Sequence, residues 1–181
     1  MPLTSETEDF LKTWKPHYIP DQNDIAAMIQ HFEAVYKVYN RLYNEVSARF
    51  GFTNRPDQKG ATEHVVKFLS ADKLTGYIDG TEQTREGVGQ LKEFIRTHRY
   101  HFVLTGPHSI PSDRADDAIL KDLESQDDRL RMEALLLLIY KVRCNIFHGQ
   151  KHRTDFQLPL MRVINPILEL VVAKTEEELR A

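Results

Sequence analysis

The chain has 181 residues, 41% hydrophobic and 28% charged, with a formal charge of −3. One globular domain of about 150 residues is the usual size for such a length, and this composition excludes a low-complexity, collagen-like or wholly disordered chain. An acidic balance supplies no global field toward nucleic acid or membrane, so any phosphate-binding surface must be a local patch.

Residues 1–22 carry Pro2, Pro16 and Pro20 among mixed polarity. They read as an irregular lead-in packed down by Phe10, Leu11 and Trp14. The segment MPLTSETEDF lacks a basic n-region and an apolar h-region, so no secretory signal is expected. The single cysteine, Cys144, forms neither an internal disulfide nor a zinc cluster, and a reducing, cytoplasmic setting is the simplest expectation.

From residue 23 to residue 50 apolar side chains fall at Ile25, Ile29, Phe32, Tyr36, Tyr39, Tyr43, Val46 and Phe50, in alternating steps of 4 and 3, with Val35 and Leu42 widening the stripe. This repeat predicts one long amphipathic helix, capped by Asn23 or Asp24, closed by Gly51, and about 42 Å long. Such a helix needs a long helical partner, in a bundle or across a dimer. The tyrosines of the ladder read as core and interface, with hydroxyls at the rim.

A turn-rich loop follows at 51–60, then a short helix over Thr62 to Ala71 and a turn at Asp79 to Thr81. Thr81 to His98 reads as a helix with Val88, Leu91, Phe94 and Ile95 inward, weakened by Gly87 and Gly89. Tyr100 to Thr105 is briefly extended, and Thr105 to Ser112 is a loop. The stretch Asp113 to Asp128 holds seven acids and two basic residues, and reads as a solvated acidic helix near the next N-terminus.

Asp127 or Asp128 then caps a second long helix reaching about His148, where Gly149 stops it. Its centre, Ala134 to Tyr140, is apolar all round and therefore buried on nearly every side. These seven residues fall short of the roughly 20 needed to cross a bilayer, so no membrane partner is expected. A last helix spans roughly Leu158 to Leu179, with Pro159 in its first turn and Pro166 expected to kink or split it. The fold class is all-α: a helical bundle with two long core helices, residues 23–181 forming a single domain.

The strongest chemical candidate is Arg143-Cys144-Asn145-Ile146-Phe147-His148-Gly149, at the end of the most buried helix. Arginine offers a fork of donors to phosphate oxygens, histidine titrates near neutrality, and asparagine can hold a hydroxyl or an imidazole. Spacing alone is weak, since chance gives roughly 0.6 Arg-x4-His pairs in this composition. A second pair, Arg96 and His101, lies at a helix end and reads as surface. Five helical residues leave Arg143 and His148 about 140° apart. Only a helix ending near His148, or a second copy of the motif from another chain, brings such groups together.

A purely structural role also fits: His148 closing the helix end, and Arg143 paired with Glu33 or Glu45. Residues 141–153 carry Lys141, Arg143, Lys151 and Arg153 and no acid, with His148 and His152 beside them. They form either a solvated loop or a phosphate-contacting rim. A metal site from His148 and His152 is disfavoured, because Gly149 breaks the helix that would align them. Cys144 reads as a small hydrophobe.

The run Leu-Ile-Tyr-Lys-Val-Arg-Cys-Asn-Ile-Phe-His-Gly at 138–149 resembles the HEPN superfamily, helical bundles built around an Arg-x4–6-His motif. The resemblance covers about residues 127–172; for residues 23–50 it is architectural. It implies a metal-independent endoribonuclease without a cofactor, active as a homodimer whose paired motifs form one cleft. His148 would act as acid or base, Arg143 would steady phosphorane charge and Asn145 would orient, while Lys141, Lys151, His152 and Arg153 would contact the RNA substrate. It further implies a role in defence, toxin action or stress, with an antitoxin or other protein partner. Many active members carry a polar or charged residue directly after the arginine, where this chain has Cys144. The alternative is a non-catalytic HEPN-like helical dimer that binds nucleotide or a protein partner.

Overall fold

The computed structural model describes residues 3–52, 56–105, 110–147 and 157–181. The fold is all-α, a helical bundle. Its long members are α2 (Ile25–Arg49), α8 (Asp128–Phe147) and α9 (Leu158–Arg180).

The lead-in is not irregular. Ser5–Trp14 forms a helix, α1, capped by Thr4, whose hydroxyl accepts from Thr7 N, with Glu6 and Glu8 in its first turn. Leu3, Thr7 and Leu11 are buried. The docking of α1 is largely polar: the Thr4 and Thr7 hydroxyls each donate to Glu45 at 2.8 Å, and Arg41 Nε donates to Thr7 Oγ1 at 2.8 Å. The inward face of this stretch, Leu3, Thr7 and Leu11, is only three positions long with a polar residue at its centre, a short signal in a segment that Pro2, Pro16 and Pro20 mark as irregular.

Asp24 caps α2, accepting from Ala26 N and Ala27 N. The helix ends at Gly51, whose φ of +63° is the left-handed conformation glycine adopts at least cost. Phe52 N then donates back to Ser47 O, closing the end. The predicted stripe is buried from Ile29 to Val46, Val35 and Leu42 included, with Ile25 half-buried and Phe50 at its end exposed; Met28 and Val38 widen the buried side further. Tyr36, Tyr39 and Tyr43 are core residues, in edge-to-face contact at 5.7 and 5.3 Å.

Helix α2 packs most extensively on α9. Asn165 Nδ2 donates to Met28 O, near the start of α2, and Arg49 donates to Leu179 O at the far end. The two helices therefore run parallel. Pro166 does not split α9, which continues through it. Burial of Val163, Ile164, Ile167, Leu168 and Val171 on both sides of the proline outweighs one missing backbone hydrogen bond.

The short predicted helix is three segments: α3 (Asp57–Lys59), a π-helical turn (Gly60–His64) and α4 (Val65–Leu69). A Cβ on Gly60 would stand 3.1 Å from the Tyr43 ring, so glycine permits the close approach to α2. Ser70, at φ +69°, turns the chain into α5 (Ala71–Asp79), a helix the sequence pattern does not reveal. Thr81 caps α6 (Glu82–Arg96), and a two-residue antiparallel pairing joins β1 (Leu104–Thr105) to β2 (Ile110–Pro111). The acidic stretch supplies α7 (Asp113–Leu123). Asp127 Oδ1 accepts from Arg129 N and Leu130 N and so caps α8. Met132, Leu135, Leu136, Leu138, Ile139 and Val142 are all buried, as an apolar-all-round helix requires. Among the described residues no helix is long and apolar enough to cross a membrane.

Candidate functional site

Arg143 lies in the last turn and a half of α8, half-buried, beside the middle of α2. Its guanidinium stands 5.6 Å from the centroid of the Tyr36 ring, a cation–π arrangement. It lines an open groove of about 490 Å³ with Trp14, Glu33, Tyr36, Lys37 and Asn40. Glu33, Lys37 and Asn40 are spaced by four and three on α2, so they share one helical face. Trp14 closes the groove from the end of α1, 49% exposed, with Lys37 Nζ 2.9 Å from its ring centroid. The groove thus combines two cations, one carboxylate and one accessible indole.

Burial alone would lower the Arg143 pKa, but the Cys144 side chain, Tyr36 and Asp57 more than offset it, and the guanidinium stays charged. Behind it lies a phenol layer. Tyr43 donates to Asp57 Oδ1 at 2.6 Å and accepts from Asn40 Nδ2. The Tyr36 hydroxyl is buried with no hydrogen-bond partner among the described residues. Burial first, then neighbouring Tyr43, pushes its pKa far above the ordinary tyrosine value. Tyr140 is pushed up to about 12 by burial and by Cys144. These phenols are neutral at physiological pH and form a low-dielectric backing that strengthens any charge interaction made by Arg143.

Asn145 is placed elsewhere. It is 5% exposed, and its Nδ2 donates to Phe102 O at 3.1 Å. Phe102 N and Val103 N in turn donate to buried Asp116. The asparagine therefore ties α8 to the 101–103 segment rather than entering the groove. Lys141 Nζ lies 3.5 Å from Gln58 Oε1, toward α3. Cys144 is half-buried and free. Glu45 is taken by Thr4, Thr7 and Arg49, while Glu33 shares the groove with Arg143.

His148, Lys151, His152 and Arg153 lie outside the described residues, as does Gly149. Helix α8 is described as far as Phe147, and His148 is the next residue in the sequence. The second pair, Arg96 and His101, is engaged with carboxylates: Arg96 with Glu93 and Glu124, His101 with Asp113 at 3.3 Å. Among the described residues no group of three or more His, Cys, Asp or Glu is placed to hold a metal ion.

Sequence reasoning missed Trp14, Lys37 and Asn40 as neighbours of Arg143. Polar residues interrupting the aromatic ladder at Glu33, Lys37 and Asn40 were the available signal. Trp14 gave none, because its position depends on α1 folding back along α2. No family model matches the chain, and neither a curated protein nor a solved structure does.

Proposed function

We propose that the protein is a metal-independent endoribonuclease of HEPN type, working as a homodimer in which Arg143 and His148 of two chains share one cleft. What supports this reading is the position of Arg143: a half-buried guanidinium lining a solvent-open groove, with Lys37 and an exposed Trp14 beside it, five residues before His148 in the sequence. Arginine and lysine suit phosphate oxygens, and an accessible indole suits an unstacked base.

In the proposed step His148 accepts the ribose 2′-OH proton. The 2′-oxygen attacks phosphorus, the bond from phosphorus to the 5′-oxygen breaks, and that oxygen takes up the proton that His148 has accepted. Arg143 stabilises the charge on the pentacoordinate phosphate. The products are a 2′,3′-cyclic phosphate and a 5′-hydroxyl, and DNA is inert. Asn145 acts as a positioning residue, through the backbone it fastens. Lys141, Lys151, His152 and Arg153 extend the phosphate rim.

The test is incubation of the purified protein with end-labelled single-stranded RNA in EDTA. Cleavage that persists in EDTA, leaves a cyclic phosphate and disappears in His148→Ala supports the reading. Loss of cleavage in EDTA, or a strictly monomeric protein in light scattering, overturns it.

One observation favours a second reading, a non-catalytic helical dimer that binds nucleotide or a protein partner: the asparagine of the motif is committed to core packing against Phe102. That reading predicts no RNA cleavage at any protein concentration.

A further inference from the structure

A second cavity, of about 430 Å³, opens between α2 and α9 on a different face of α2 from the Arg143 groove. Its roof is the 15–22 segment joining α1 to α2, which places Tyr18 and Ile19 along the mouth. Both are strongly exposed, Ile19 at 90% and Tyr18 at 53%, although they line a concave surface. Pro16, Pro20 and Pro166 add rigid apolar walls.

The floor is polar and buried. His31 is 3% exposed, and its Nε2 is bonded to the Glu169 carboxylate across the helix pair. The edge of Tyr18 meets the His31 ring at 5.3 Å. Asn165 is also 3% exposed and uses its Nδ2 on Met28 O at 3.1 Å. Two atoms of this floor, Asn165 Oδ1 and His31 Nδ1, are buried without a hydrogen-bond partner among the described residues. Buried polar atoms are normally satisfied, so an unpaired pair beside a cavity points to a missing occupant.

The chemistry of the unmet groups selects that occupant. The Asn165 oxygen can only accept. A carboxylate oxygen of Glu169 also only accepts, so Nε2 of His31 carries the hydrogen between them. The second Glu169 oxygen remains available, on a side chain that is 48% exposed. The cation in the wall, Lys15, is already bound to Glu176 at 2.6 Å, and Glu176 is also held by Arg180. Glu169 therefore has no lysine or arginine partner among the described residues, only the His31 ring. An apolar roof over a carboxylate and unmet acceptors suits a molecule with an apolar body and a positively charged donor.

We propose that this cavity binds a small organic ammonium ion, its N–H groups meeting the Glu169 carboxylate and Asn165 Oδ1, its apolar body lying beneath Tyr18 and Ile19. His31 positions the carboxylate. The site is independent of the ribonuclease reading, and RNA cleavage plays no part in its test.

Tryptamine and its alcohol counterpart tryptophol serve as probes, followed by backbone amide NMR of the full chain. Tryptamine is expected to shift the resonances of residues 15–22 and 165–173 saturably below about 1 mM, and tryptophol to bind roughly tenfold more weakly. Glu169→Gln keeps an acceptor for His31 and should erase the preference for the amine. Asn165→Leu should weaken tryptamine. The amine-against-alcohol comparison on the unaltered protein decides the matter even where a variant fails to fold. Equal binding of the two probes, no saturable shift up to about 10 mM, or a preference that survives in folded Glu169→Gln overturns the proposal. So do shifts of the same residues with protein concentration alone, which would make this face a protein contact.

Discussion

The Arg143 guanidinium lies over the Tyr36 ring, 5.6 Å from its centroid, so the one cation of α8 that faces the groove is seated on the aromatic ladder of α2. The ladder thereby does two jobs. Its inner rings build the core, and its outer ring orients a charged fork toward solvent.

Replacing Arg143 should therefore separate catalysis from stability. Arg143→Ala is expected to lower RNA cleavage by about a hundredfold or more, since it removes the stabilising charge. The folded state should lose only about 0.5–1 kcal/mol from the cation–π contact. Arg143→Lys keeps the charge without the planar fork and should fall between the two. Single-turnover cleavage rates and thermal melts of the same preparations make the comparison. Equal cleavage by wild type and Arg143→Ala would remove the arginine from the mechanism.

Asn145 should behave the opposite way. Its amide satisfies the Phe102 carbonyl inside the protein, so Asn145→Ala is expected to cost about 1–3 kcal/mol in urea denaturation. Asn145→Asp should cost more, because it turns a donor into a buried acceptor facing a carbonyl. A folded Asn145→Ala of unchanged stability that has lost cleavage would place the residue in the chemistry instead.

Acid should loosen α1 before the bundle. Burial raises the Glu45 pKa, but hydrogen bonds from Thr7, Thr4 and Arg49 outweigh it and hold the carboxyl below its ordinary 4.5. Glu176 is likewise raised by burial and brought lower by Lys15 and Arg180. Groups lowered on folding stabilise the native state above their ordinary value and lose that contribution as pH falls through the folded one. Trp14 is the sole tryptophan and sits at the end of α1, so its emission reports the release. The change should precede loss of far-ultraviolet helicity, and Glu45→Gln should flatten its pH dependence.

Alkali should unfold the protein through its tyrosines. Burial raises Tyr36, Tyr39 and Tyr43 well above the ordinary value of 10.0, and Tyr140 to about 12. A phenol raised on folding contributes stability below its ordinary value and loses it as pH climbs toward the folded one. Stability should therefore fall from about pH 10 upward. Phenolate absorbance should show a late fraction appearing together with loss of helicity. Tyr36→Phe, which removes an unpaired buried hydroxyl, should be neutral or stabilising.

Much of this architecture was legible in the sequence. The alternating steps from Ile25 to Phe50 gave α2, Asp24 and Gly51 gave its ends, and the run from Ala134 to Tyr140 gave the buried α8. What stayed hidden had a common cause, since pattern reading weighs apolar spacing. Helix α1 has only Leu3 and Leu11 as apolar anchors, with Thr4 and Thr7 docking on Glu45 between them. Helix α5 begins at a positive-φ serine that no residue type announces. Pro166 reads as a breaker locally and is overruled by packing along α9. Arg143 could be singled out from its place in the chain. The side chains around it come from α1 and α2, brought there by tertiary folding.

The parallel course of α2 and α9 also bears on how quickly the chain can fold. Helical bundles ordinarily fold fast because their helices meet near neighbours, yet here the principal pair joins residues 137 and 138 positions apart, Met28 to Asn165 and His31 to Glu169. Closing a loop of that size costs entropy before the contact repays it. Refolding should accordingly run slower than helix content suggests, with α2 and α9 meeting late, after the intervening helices have drawn their ends together.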